Sequence, residues 1–229
     1  MSPDGPPLPT WMNRLAHDLR SPLAPLMTAV YLLKSEQLPV DRRAELLELM
    51  ERQGRRLGRM FDELDDNIRA GQGRLLGRRE SCEAGMLLDL AFSEMRNTPA
   101  IEVTTTESVA QTVVNGDVMR LQQMLRILAE HALAQVDANA LQVRLERLDA
   151  HLRIDIPLPG TSNGGDPPDV VLREPQPNPD DSGLGLKLLL ARAIAHAHGG
   201  RLSVEPPDPD HPGGWLRCEL PLINGHTSA

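Results

Sequence analysis

Aromatic side chains make up only 2 % of this 229-residue chain, with two Trp, two Phe and a single Tyr. The core must therefore be built from Leu, Val, Ile, Ala and Met, which suits helices packed on helices or on a sheet. Cysteine is scarce as well. Cys82 and Cys218 lie far apart and form no metal-ligand spacing, which implies neither a disulfide framework nor a zinc site and fits a reducing cytosol. Positive charge is in deficit, with 24 Lys and Arg against 32 Asp and Glu and a formal net charge of −8. That balance disfavours general binding to nucleic acid or to an anionic membrane. No run approaches the roughly 20 apolar residues that cross a bilayer, and residues 1–9 are proline-rich rather than a signal peptide. The expectation is a cytoplasmic chain without membrane insertion, whose stimulus arrives inside the cell or through a partner.

What is present begins with two periodic stretches. One runs Leu15, Leu19, Pro22, Leu26, Ala29, Leu33 and the other Leu46, Met50, Gln53, Leu57, Met60, Leu64, both at 4-3 spacing. The connector Gln37-Leu38-Pro39 is short, so the two helices should be antiparallel neighbours. Further apolar residues at Leu23, Val30, Leu47 and Leu49 exceed what one partner helix covers, and a homodimeric four-helix bundle would bury them. Pro22 and Pro25 inside the first helix remove backbone hydrogen bonds, a local cost without a local benefit.

The glycine-rich segment 71–77 reads as a linker. Beyond it the pattern predicts helices near 82–95, 118–135 and 184–197. Strands are predicted near 101–106, 112–114, 141–148, 152–156, 202–204 and 215–220. The fold class is α+β: a helical hairpin followed by an α/β sandwich. Its parts are a disordered 1–9, a hairpin over 10–70, the linker 71–77, a sandwich domain over 78–223 and a tail, 224–229. Within the sandwich, the proline- and glycine-rich stretch 157–182 should hold no regular structure and reads as a lid.

Two segments carry chemistry. His17 and Asp18 sit beside the Leu15/Leu19 seam, where both reach solvent. A neutral imidazole is nucleophilic near pH 7, and the adjacent carboxylate can orient it. Ser21, one turn later, could position a water for hydrolysis of a phosphohistidine. The second segment is Gly183-Leu184-Gly185-Leu186, leading into an apolar helix, where glycines let backbone N–H groups approach phosphate oxygens closely. His196 and His198 face different sides of a helix end and read as residues interacting with the helix dipole rather than as metal ligands.

Residues His17-Asp18-Leu19-Arg20-Ser21-Pro22-Leu23 resemble the H-box of the histidine kinase family, which also accounts for the proline in a helix. Gly183 to Leu186, continuing through His198-Gly199-Gly200, is similar to the G2 box of that family's ATP-binding domain, a fold shared with chaperone and gyrase ATPases. The resemblance implies autophosphorylation of His17 with ATP and Mg²⁺, transfer to an aspartate on a response regulator, and a homodimer. It places the nucleotide beside Gly183, Leu184, Gly185 and Leu186.

Two other boxes depart from the family. The N-box asparagines fall on Ile127 and His131, which leaves Glu130 and His131 as the candidate cofactor-binding residues there. In the G1 box the adenine-reading aspartate falls on Ile156, and Asp155 is one residue off, on the opposite face of a strand. Metal ligands are therefore not assigned, and ATP binding should be weak. Three readings remain: an ATP-dependent histidine kinase; an ATP-independent phosphotransferase or pseudokinase fed by an upstream sensor or phosphodonor protein; and a non-catalytic module that binds a response regulator.

Overall fold

A computed structural model describes residues 10–35, 38–93, 95, 100–134, 140–158, 168–176, 183–207, 211 and 213–223. The expectations for 1–9, 224–229, Gln37 and most of 157–182 fall outside the described residues. The chain divides into two units, Met1–Asp66 with Glu174–Leu186, and Asn67–Arg173 with Lys187–Ala229.

Two long helices form from the periodic stretches, α1 (Thr10–Leu33) and α2 (Val40–Gly71). Asp41 in the first turn of α2 and Arg69 in the last complement its dipole. Gly73, at φ 66°, closes α2: its N–H donates to Ala70 O at 3.1 Å and the Arg74 N–H to Arg69 O at 2.9 Å, a Schellman motif.

In the first unit the periodic positions behave as a seam. Pro22, Ala29 and Met60 are buried and the remaining members of both series are half-buried, whereas Leu23, Val30, Tyr31 and Leu47 are exposed. Leu49 is half-buried. Pro22 and Pro25 both lie inside α1. They remove the N–H donors that the carbonyls of Asp18 and Ser21 would otherwise meet.

The second unit is a mixed sheet with helices on one face. Its elements are β1 (Glu80–Glu83), α3 (Ala84–Ser93), β2 (Ala100–Thr104), α4 (Glu107–Ala110), β3 (Val113–Gly116), α5 (Val118–Leu133), β4 (Ala140–Leu148) and β5 (His151–Pro157). A short 3-10 helix (Pro168–Leu172), α6 (Lys187–Ala197), β6 (Arg201–Glu205) and β7 (Trp215–Pro221) follow. The five-stranded sheet runs β2-β4-β5-β7-β6, with β2 parallel to β4 and the other pairs antiparallel. β1 and β3 form a separate antiparallel pair.

Period-2 alternation decides which sheet face is buried. Val143 and Leu145, Leu152, Ile154 and Ile156, and Leu216, Cys218 and Leu220 join Leu125 and Leu128 of α5 and Leu190 and Ile194 of α6 in one core.

Three expectations are corrected. The helix predicted from Cys82 starts at Ala84, because residues 80–83 pair with β3 in the register Cys82↔Val114. That long-range pairing overrides the local pattern. The helix predicted from Leu184 starts at Lys187, since Gly185 at φ 74° keeps the preceding loop out of helical geometry. The stretch 157–182 was expected to be irregular throughout, yet it contains the 3-10 helix, whose Leu172 is anchored in the core.

Candidate functional site

His17 projects from α1 with its side chain 86 % exposed, and its Nδ1 lies 3.2 Å from Asp18 Oδ1. A carboxylate oxygen accepts in such a contact, so the tautomer that satisfies it carries the ring proton on Nδ1 and turns the Nε2 lone pair to solvent. Leu15 and Leu19, half-buried on the seam, hold this turn in place, and Ser21 is exposed one turn further on. The structure thus brings His17 and Asp18 together, and helical spacing sets Ser21 on the same side.

The Gly183–Leu186 loop surrounds a carboxylate. Glu63 of α2, 8 % exposed, accepts at a single oxygen, Oε2, from the Leu184 N–H at 3.0 Å and the Leu186 N–H at 3.2 Å. A Cβ on Gly183 would overlap the Glu63 carboxylate, and one on Gly185 would strike the Gln176 carbonyl. Gln176 in turn donates its N–H to Gly185 O at 2.9 Å. Gly183 is therefore required by the approach of an anion, and Gly185 by its left-handed backbone and the adjacent chain. Sequence reasoning found the loop but not Glu63, which looks like any other acid on the polar side of an amphipathic helix.

In the second unit, Asp117 caps α5 by accepting from the Arg120 N–H at 3.1 Å, and its other oxygen accepts from the Gly77 N–H at 2.7 Å. Ile127 is part of the core, and His131 is half-buried, with burial lowering its pKa. Glu130 faces outward and pairs with Lys187 at 2.9 Å.

On β5 the predicted separation of faces is seen. Ile156 is in the core, while Asp155, 3 % exposed, meets Arg217 of β7 in a two-pronged pair at 2.8 and 2.9 Å. The hydrogen bonds that Arg217 donates to Asp155 are the leading reason that the Arg217 pKa is raised. Arg217 also lies 3.4 Å from Glu205, and Arg153 lies 3.5 Å from Glu219, so this sheet face carries cross-strand charge pairs.

His198 is a structural residue. Its Nδ1–H donates to Ile194 O at 2.8 Å, and its Nε2 accepts from the Asp117 N–H at 3.0 Å. Burial is the main cause of its lowered pKa. The thiols are withdrawn from chemistry: burial raises Cys82 and pushes Cys218 up to about 12. Among the described residues no group of three or more His, Cys, Asp or Glu is placed to hold a metal ion.

Comparison with known proteins gives a consistent result. Residues 10–73 match the His Kinase A (phospho-acceptor) domain. No curated protein matches the chain. Among solved structures, the histidine kinase AdeS of Acinetobacter baumannii superposes with a TM-score of 0.63 at 18 % identity, over 91 % of this chain and 98 % of that one. The histidine kinase ThkA, solved in complex with response regulator protein TrrA, gives 0.68 at 17 % identity over 93 % of this chain and 61 % of that one. Full-length ShkA, solved in complex with AMPPNP, gives 0.61 at 20 % identity over 92 % of this chain and 46 % of that one.

Proposed function

We propose that the protein is a two-component histidine kinase that carries a phosphoryl group on His17, since residues 10–73 match the His Kinase A phospho-acceptor domain and the fold is that of solved histidine kinases. The observation behind this reading is the exposed His17 with its Nδ1 held by Asp18. Nε2 is the nitrogen that accepts the phosphoryl group, and Asp18 stabilises the positive charge that the ring gains. Ser21 stands where a hydroxyl would orient water for dephosphorylation. The group passes on to an aspartate of a response-regulator receiver domain, a partner that the ThkA complex with TrrA supports.

If bound, ATP would supply the phosphoryl group. The residues present fit its phosphates, since the loop amides of Leu184 and Leu186 already satisfy an anion. They do not fit Mg²⁺ or the expected adenine contact. Ile127 has no ligand atom, Glu130 is paired with Lys187, and Asp155 is paired with Arg217. Those same pairs favour a second reading, a phosphotransferase loaded by another phosphoprotein.

The exposed Leu23, Met27, Val30, Tyr31 and Leu47 support a homodimer, in which a second hairpin covers them. Among the described residues no helix is long and apolar enough to cross a membrane.

The Gly183→Ala/Gly185→Ala variant separates the two functional readings. A kinase should lose labelling by γ-labelled ATP while still relaying a phosphoryl group already on His17. Undiminished labelling by ATP in the variant would contradict a role for this loop.

A further inference from the structure

The Gly183–Leu186 loop holds an anion, and that anion belongs to the protein itself. We propose that Glu63 is an intramolecular latch: its carboxylate occupies the place of a nucleotide phosphate on the Leu184 and Leu186 amides, so that ATP binds only by displacing it. The inference rests on the phosphate-cradle reading of the loop given above.

Three observations carry it. The first is the geometry, in which two backbone N–H groups converge on one carboxylate oxygen at 3.0 and 3.2 Å. An ionised oxygen accepting two amide protons is what a phosphate would also present, and one site does not hold both. The second is burial. In the acidic run Asp62-Glu63-Leu64-Asp65, Glu63 is buried whereas Asp62 and Asp65 are exposed. A buried carboxylate is unfavourable unless hydrogen-bonded, and the loop supplies those bonds. The third is Gly183, where a Cβ would overlap the Glu63 carboxylate, so the loop is shaped to admit this anion.

The latch makes nucleotide access depend on where α2 holds Glu63 against the loop. A change in α2 that withdraws the carboxylate frees both amides at once. The acid that blocks the cradle lies on the helical hairpin that also carries His17.

The test is calorimetric titration of the full chain with ATP, and with adenosine as a phosphate-free control, for wild type and Glu63→Gln. Glutamine keeps the size and removes the charge. The expected result is ATP affinity raised at least about tenfold, the difference that loss of one charge-assisted hydrogen bond makes, with adenosine affinity unchanged. Deuterium exchange at the Leu184 and Leu186 amides should be faster in the variant and slow again when ATP is added.

Equal ATP affinity in the two proteins would overturn the latch and leave the cradle standing. Binding of ATP by neither would overturn the cradle reading, and the latch with it. If Glu63→Gln fails to fold, Glu63→Asp decides the matter: it keeps the charge but withdraws it by one methylene, and it too should bind ATP more tightly than wild type.

Discussion

At the scale of single residues, two carboxylates have very different fates. Asp18 stays in reach of its neighbour His17, whereas Asp155, one strand step from the adenine-reading position, is held by Arg217. Asp155 is therefore expected to matter for stability and not for nucleotide binding. Asp155→Ala should cost about 2–3 kcal/mol, the order expected for a charge-assisted pair, in denaturant unfolding, while ATP affinity stays unchanged. A fall in ATP affinity at wild-type stability would return Asp155 to the adenine site. Alternation along β5 already put Asp155 on the face opposite Ile156, so its removal from the adenine position was legible, whereas its partner Arg217 was seen only in the structure. Glu63 was not legible either. Nothing in its helix distinguishes it from Asp62 or Asp65, because its partners come from a loop 121 residues away.

At the scale of elements, the junction of β3, α5 and α6 is fastened by one imidazole. His198 on the last turn bonds both the Ile194 carbonyl and the Asp117 amide, and Asp117 in turn caps α5 and holds Gly77. Burial and Arg79 lower the His198 pKa, more than the Ile194 bond and Asp117 raise it, and burial lowers that of His131. A histidine whose folded pKa lies below its unfolded value, near 6.5, takes up a proton more readily when unfolded. Its stabilising contribution is therefore complete above that pH and is lost as pH falls towards the folded value. Unfolding free energy should be lower at pH 5 than at pH 7.5, and His198→Gln should flatten that slope. An equal slope in the variant would count against this role.

Length decides which elements a sequence reveals. α1, α2 and α5 are long enough for their period to be seen. β1, Glu80–Glu83, has one buried residue, Cys82, and exists through its pairing with β3; α4 is four residues long.

At the scale of the whole molecule, the chain joins a hairpin that matches a phospho-acceptor domain to a mixed-sheet unit in which Ile127 and Ile156 are core residues and Glu130 and Asp155 are held in ion pairs. Composition anticipated the first consequence, a core of aliphatic side chains, and the 4-3 spacing anticipated the second, a seam with apolar surface left over. That surplus should be covered by a second copy. Met27→Glu/Tyr31→Glu, at positions 68 % and 77 % exposed, is expected to shift sedimentation equilibrium from dimer to monomer without loss of helicity. An unchanged dimer would place its interface elsewhere.

The claim on which the rest depends is that His17 carries the phosphoryl group. Purified protein incubated with γ-labelled ATP and Mg²⁺, or with a labelled phosphodonor protein, should acquire label that is acid-labile and base-stable, and His17→Gln should acquire none from either. Label of that chemistry persisting at full level in His17→Gln would contradict the assignment of His17.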